Sequence, residues 1–308
     1  TVFYVTLSKE FEEVGMQVIS EMMGFPSFDV GEIDNEREVV IEEIKRSQDN
    51  LPRQASRLLF CTLSPKHPYG LPVIGFTENI QNFSQADILN YFRARYNPEN
   101  MTMVVVGDFA TAKMRKKVEK FFGKFPKQKL RKSKRPKISA QTSTVQVVQT
   151  STFDESMCHL SWRTPEAKHK DIAALEVLAL IFGQGESSRL HQRLRLEAAC
   201  VHSVGASVFT SSDPGFIAIS SSLNPENLKA SLDATLDELQ KLLSAPPTAE
   251  EFSKAITNLR SEQFYSMETV DGLARKYGHF EDLFHDPLYF NEFMKQIEAL
   301  KPADILKI

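Results

Sequence analysis

"SQADILNYF", residues 84–92, returns near the other end of the chain as "KPADILKI", residues 301–308. The shared Ala-Asp-Ile-Leu stands at 86–89 and again at 303–306, 217 positions later. Four letters prove little, so the test is whether the preceding elements recur in the same order. "FYVTLSKEFEEVGMQVISEMM" (3–23) reads as an edge-like strand followed by an amphipathic helix. "FIAISSSLNPENLKASLDATLDELQKL" (216–242) reads the same way. "PSFDVGEIDNEREVVIEEI" (26–44) parallels "PPTAEEFSKAITNLRSEQF" (246–264): a proline, a helix-capping residue (Asp29 or Thr248), a nearby acid and a long helix. The offset stays between about 213 and 219, which is the mark of a duplication.

The two parts meet in "KFPKQKLRKSKRPK" (124–137), which carries eight Lys/Arg and two Pro. Such a run is a solvated, extended linker or an anionic docking site. The division expected is therefore 1–123, a basic linker at 124–142, and 143–308. In the second part, strands "VQVVQTS" and "CHLSWRTP" and helices "DIAALEVLALIFG" and "SSRLHQRLRLE" precede Phe216. Their equivalents in the first part are expected before Thr1, and residues 301–308 match only the start of 84–96, so the chain reads as trimmed at both ends. Strands are predicted near 1–7, 101–107, 144–150, 157–163, 201–210 and 215–223, with "SSDPG" as the hairpin turn between the last two. Long helical runs between them favour antiparallel α+β layers over a doubly wound sheet.

Composition excludes several classes. A chain of 308 residues with 42% hydrophobic residues and a formal net charge of -3 has the make-up of about two globular domains. It lacks the strongly basic balance that nucleic-acid binding needs. Cys61, Cys158 and Cys200 are odd in number and widely spaced, which argues against a disulfide framework or a CxxC site. No run approaches the ~20 apolar residues of a membrane span, and "TVFYVTL" is not a signal peptide.

The acids of "NEREVVIEEIKRSQDN" (35–50) carry the chemistry. Glu36 and Glu43 are seven residues apart, almost two helical turns, so they share one stripe about 10 Å apart along the axis. Val40 lies on that stripe, which predicts that both acids face an interior or a cleft. There they either pair with Arg or Lys of a neighbouring element or serve as metal ligand and acid/base group. The seven histidines supply no HExxH or HxxEH arrangement. His67 in "KHPYG" reads as a turn residue. "GQGESSRL" (183–190) lacks the Lys-Ser/Thr of a P-loop and does not follow a strand; a Gly-terminated helix followed by a Ser-capped one accounts for it.

Four segments in order, "FDVGEIDNEREVVIEEIKRSQDN", "HPYGLPVIGFTENIQNF", "YFRARYNPENMTMVVVGDF" and "ALEVLALIFGQGESSRLHQRLR", resemble the insulinase/pitrilysin zinc peptidases, the inverzincins, over nearly the whole chain. The resemblance implies two homologous domains, each a mainly antiparallel sheet packed against several helices, in a mitochondrial-processing-peptidase-like architecture. It implies a Zn2+ site built from an HxxEH motif upstream of Thr1 and a downstream Glu, here Glu43. Glu36 matches a second acid that supports the site without binding the metal. The general base, the Glu of HxxEH, is absent from the chain, and Glu36 corresponds in the repeat to Ala255, so the second domain is expected to hold no metal. Substrate contacts fall on Arg195 and, seven residues on, His202, where the family carries Tyr. An imidazole still donates a hydrogen bond but is shorter and titrates near neutrality.

The expected function is part of a zinc metalloendopeptidase that cuts peptides or small unfolded proteins in a two-half chamber, this chain alone being inactive. The alternative is a non-catalytic peptide-binding or structural partner subunit of the same fold. The expected partners are peptides and the other chamber half, with no nucleic acid and no membrane span. A bacterial cytoplasm or periplasm is the expected compartment.

Overall fold

The computed structural model describes residues 1–126 and 134–308. Most of the basic linker's centre, 127–133, thus lies outside the described residues. The chain has an α+β fold, packed as two compact units.

Unit 2 comprises Ser47–Pro72, Arg135–Tyr265 and Leu288–Ile308. Its centre is an antiparallel sheet of β1 (Ser156–Arg163), β2 (Ser203–Phe209) and β3 (Phe216–Leu223) in the order β1-β3-β2. The register pairs Ser156 with Leu223 and Ser203 with Ser222. One face carries Leu160, Val204, Ala206, Ile219 and Leu223 into a core shared with the helix α8 (Leu228–Ser244). The other face, at the β2–β3 hairpin end, packs Phe209, Phe216 and Ala218 against Leu59, Phe60 and Leu63 of α3 (Leu51–Leu63).

The helix α7 (Ile172–Gly183) is apolar on every side but for Glu176 because it is covered all round, the general reading of such a sequence. Ala179 and Phe182 join the sheet core, while Ala173, Val177 and Ile181 face α9 (Ala249–Tyr265), α11 (Tyr289–Ala299) and the 3₁₀ turn Pro302–Lys307. Gly183 ends α7 where a side chain would force the backbone to shift: a Cβ there would lie 2.2 Å from the Ala206 nitrogen of β2.

Unit 1 comprises Thr1–Arg46, Val73–Lys134 and Ser266–Pro287. Its helices include α1 (Glu12–Gly24), most of α2 (Val30–Gln48), α4 (Thr77–Asn82), α5 (Gln85–Arg95), α6 (Thr111–Phe122) and α10 (Val270–Phe284). α1 packs on α6, with Met16 and Met114 buried and Lys117 reaching Glu12 and Glu13.

The duplicated signature has matching local chemistry. Asp87 accepts the Ser84 backbone N–H at 3.0 Å, and Asp304 accepts that of Lys301 at 2.9 Å. Each ties down one of the free N–H groups at a helix start. Strands predicted at 1–7, 101–107 and 144–150 are not part of any ladder among the described residues. Their alternating apolar pattern is compatible with extended backbone, but a ladder needs a partner edge. Val2, Tyr4 and Val148 are exposed instead. The other three predicted strands are the ones that pair.

Candidate metal and substrate residues

α2 starts at a local cap, where Asp29 Oδ1 accepts the Gly31 N–H at 2.9 Å. Its inward stripe is Ile33, Arg37, Val40, Ile41 and Ile44, of which Ile44 is buried and the rest half-buried. Arg37 is on that stripe because it has work there: its guanidinium donates to the carbonyls of Ile80 and, at 3.0 Å, Phe83, groups that the end of α4 leaves unpaired. At 100° per residue, Glu36 and Glu43 lie roughly 80–100° from the middle of this stripe. Both are exposed, which corrects the interior half of the expectation that they face an interior or a cleft. Val40 is the edge of the buried face rather than its centre. Glu32 shares their flank.

Among the described residues neither Glu36 nor Glu43 has an ion-pair partner, whereas Glu42 pairs with Lys45 at 2.7 Å and Asp34 with Arg37 at 3.4 Å. Glu32 and Glu38 also lack one, so isolation does not set the pair apart, and azimuth separates it from Glu38 but not from Glu32. The described residues contain no group of three or more His, Cys, Asp or Glu able to hold a metal ion. The residues present therefore do not make a zinc site by themselves. Glu43 offers one carboxylate.

Arg195 and His202, the residues expected to contact substrate, lie in unit 2. Arg195 is on a π-helix, His191–Glu197, where an α-helix was expected. The wide turn closes with Ala198 N–H on the Arg193 carbonyl and Cys200 N–H on that of Leu194, while Ala199 takes a left-handed φ of 47°. Leu194 and Cys200 are buried and anchor the bend. π-Helical turns are often found at functional sites. The Arg195 guanidinium is exposed and donates from Nη1 to His191 Nε2 at 3.3 Å. His202 is also exposed. Its backbone N–H extends the β2–β3 ladder to Ser222, and its Nε2 donates to Asn224 Oδ1 at 3.1 Å.

The turn reading of His67 holds, with more packing than a turn requires. It caps the 3₁₀ turn Pro68–Gly70 by accepting the Tyr69 N–H on Nδ1 at 3.2 Å. It is buried, with Nε2 3.5 Å from Asp213, whose carboxylate also takes Tyr69 Oη at 3.2 Å and Arg135 at 3.1 Å. After Gly183, Ser188 Oγ donates to the Gly185 carbonyl at 2.7 Å, so this serine closes a loop rather than accepting as a helix cap. Sequence reasoning passed over Glu176, the lone acid in "IAALEVLALIFG". Burial, aided by the charge of Glu262, pushes its carboxyl up to about 7.

The description "Peptidase M16 inactive domain" matches residues 82–259, more than half the chain. The chain belongs to the peptidase M16 family, that of insulinase and pitrilysin. The matched span of this M16 chain starts after Glu43 and includes Arg195 and His202. It is 24% identical over 307 residues to a Rickettsia felis protein described as an uncharacterized zinc protease, covering 99% of this chain and 73% of that one. A Helicobacter pylori protease structure superposes with a TM-score of 0.85 at 24% identity, over 97% of this chain and 73% of that one. A peptidase M16 inactive domain from Pseudomonas fluorescens gives 0.86 at 18% identity, over 97% and 71%. Among the described residues no helix is long and apolar enough to cross a membrane.

Proposed function

We propose that this M16 chain is part of a zinc-dependent metalloendopeptidase acting on peptides or small unfolded proteins. In this reading 1–123 is the downstream portion of a metal-binding domain, 124–142 a linker, and 143–308 a homologous domain without metal. Glu43 is the carboxylate ligand, Glu36 supports the site from one shell out, and the histidine ligands and general base come from a segment outside this sequence. Arg195 and His202 contact the peptide, and the other half of the chamber is a further domain or partner.

The observation that carries the reading is the match over 99% of the chain to a relative described as a zinc protease. Three facts support it. Glu43 is exposed and uncommitted to any cation among the described residues, so ligation would cost no existing ion pair. Ala255, at the position equivalent to Glu36, is buried, in keeping with a second domain that holds no metal. Arg195 and His202 present free faces.

The test is zinc content. In a parent that includes the upstream segment, Glu43→Gln should abolish stoichiometric zinc and Glu36→Gln should only weaken retention. The 308-residue chain alone should bind none tightly. Wild-type zinc in the Glu43 variant, or one tight zinc per isolated chain, breaks the assignment. A second reading, a non-catalytic peptide-binding or structural partner subunit, is supported by the match of residues 82–259 to a description that reads inactive domain. A parent without zinc but with peptide affinity would select it.

A further inference from the structure

Unit 1 holds a cavity of about 230 Å³ whose surface is about half apolar and half polar, with several aromatic rings among its lining residues. Leu89, Phe92, Arg93 and Tyr96 form one side, at the i, i+3, i+4, i+7 spacing of a single helix face. Phe25 and Phe125 form another, edge-to-face with ring centres 5.7 Å apart. Phe125 reaches that place because residue 24 is glycine; a Cβ there would stand 2.6 Å from the ring.

Two polar groups on these walls are uncommitted. Asn97 is 1% exposed; its Oδ1 accepts the Glu99 N–H at 3.0 Å, but its Nδ2 has no hydrogen-bond partner among the described residues. A buried donor without an acceptor is destabilising until one arrives. Among the described residues Arg93 has no ion-pair partner and no acidic residue lines the cavity. Rings on the wall, an exposed guanidinium beside them and no acidic residue among the described lining complement a ligand with an apolar body and an anionic end. The volume is below the roughly 300–1,000 Å³ of drug-sized sites, which limits the ligand to a single small group.

We infer that this cavity binds a small apolar carboxylate, with Arg93 holding the carboxylate, the aromatic rings against the apolar body, and the unpaired Asn97 amide in the wall behind them. The carboxylate has two sources, a free aryl or alkyl acid and the C-terminal residue of a peptide. The inference does not depend on zinc or on Glu43.

The test titrates 3-phenylpropionate, its primary amide, and Ala-Ala-Ala-Phe with a free or amidated C-terminus into the full chain, reading the methyl NMR shifts of Leu89. The acids should move those signals saturably, and each amide should bind at least about tenfold more weakly. Arg93→Gln should cost the acids a similar factor and leave the amides unchanged. Asn97→Asp keeps an oxygen for the Glu99 N–H, replaces the donor with a negative charge, and should abolish acid binding. Tighter binding of the peptide acid assigns the cavity to peptide C-termini; the reverse order assigns it to a free acid. Equal binding of acid and amide, wild-type affinity in Arg93→Gln, or no Leu89 shift up to the solubility limit overturns the inference. Because Arg93 is exposed, its variant decides the matter even if Asn97→Asp does not fold.

Discussion

Glu176→Gln should stabilise this protein, and by an amount that depends on pH. Glu176 is on α7, the helix covered on all sides, and faces a second acid, Glu262 of α9. Burial first, and the Glu262 charge second, raise its carboxyl from 4.5 to about 7, which at 1.36 kcal/mol per unit corresponds to about 3 kcal/mol. For an acid the sign is fixed: a folded value above the unfolded one means that the native state disfavours the ionised form. The cost is absent below about 4.5, grows as pH rises towards about 7, and is complete above it. A glutamine has nearly the same shape and polarity as the protonated acid. Urea unfolding should therefore show near-equal midpoints for wild type and Glu176→Gln at pH 4.5, and a variant more stable by about 3 kcal/mol at pH 8. Glu262→Gln should recover only the smaller, electrostatic part of that gain. A midpoint difference that is the same at pH 4.5 and pH 8 would refute the reasoning, because the charge on Glu176 would then not be what the packing opposes.

Gly183→Ala should cost about 1–3 kcal/mol in the same assay, since its Cβ would meet the backbone of β2 and force α7 off the sheet; unchanged stability would show that the contact is loose. Arg189→Ala should cost on the order of 1.5–3 kcal/mol at pH 7, because Arg189 donates to both carboxylate oxygens of Glu251 at 2.6 and 2.8 Å in a partly buried pair. Arg189 holds the Glu251 carboxyl down at about 2, below the unfolded 4.5. The contribution is present above about 4.5 and fades as pH falls towards about 2, so thermal unfolding should show the wild-type advantage shrinking across that range. A constant advantage would assign the stabilisation to the arginine's packing instead.

Helices were the most legible part of the chain because their hydrogen bonds are local. The caps at Asp29 and Thr248 and the apolar run 172–183 sit where their side chains and period say they should. Of the strands, 157–163, 201–210 and 215–223 were legible, the last two through the hairpin signal between them. Segments 1–7, 101–107 and 144–150 carry the same alternation without a ladder, because pairing depends on a partner edge that no local pattern names. The π-helix at 191–197 was hidden for a related reason: its wide turn is held by Leu194 and Cys200 packing into the sheet core, not by a local signature.

The candidate site divides along the same line. By itself the sequence determined the recurring signature, the family and the shared azimuth of Glu36 and Glu43, since each is a matter of order or spacing along one chain; Arg195 and His202 are candidates only through the family resemblance. Only the tertiary structure decided which way α2 is turned. Ile33, Arg37 and Ile44 take the inward face because Arg37 finds the open carbonyls of α4, and that rotation leaves both acids in solvent. Period sets relative angles on a helix; the direction of the core is set by what packs against it. The same dependence placed Glu176 among apolar neighbours and Asn97 against the aromatic cavity, two polar groups whose properties follow from surroundings that are remote in sequence.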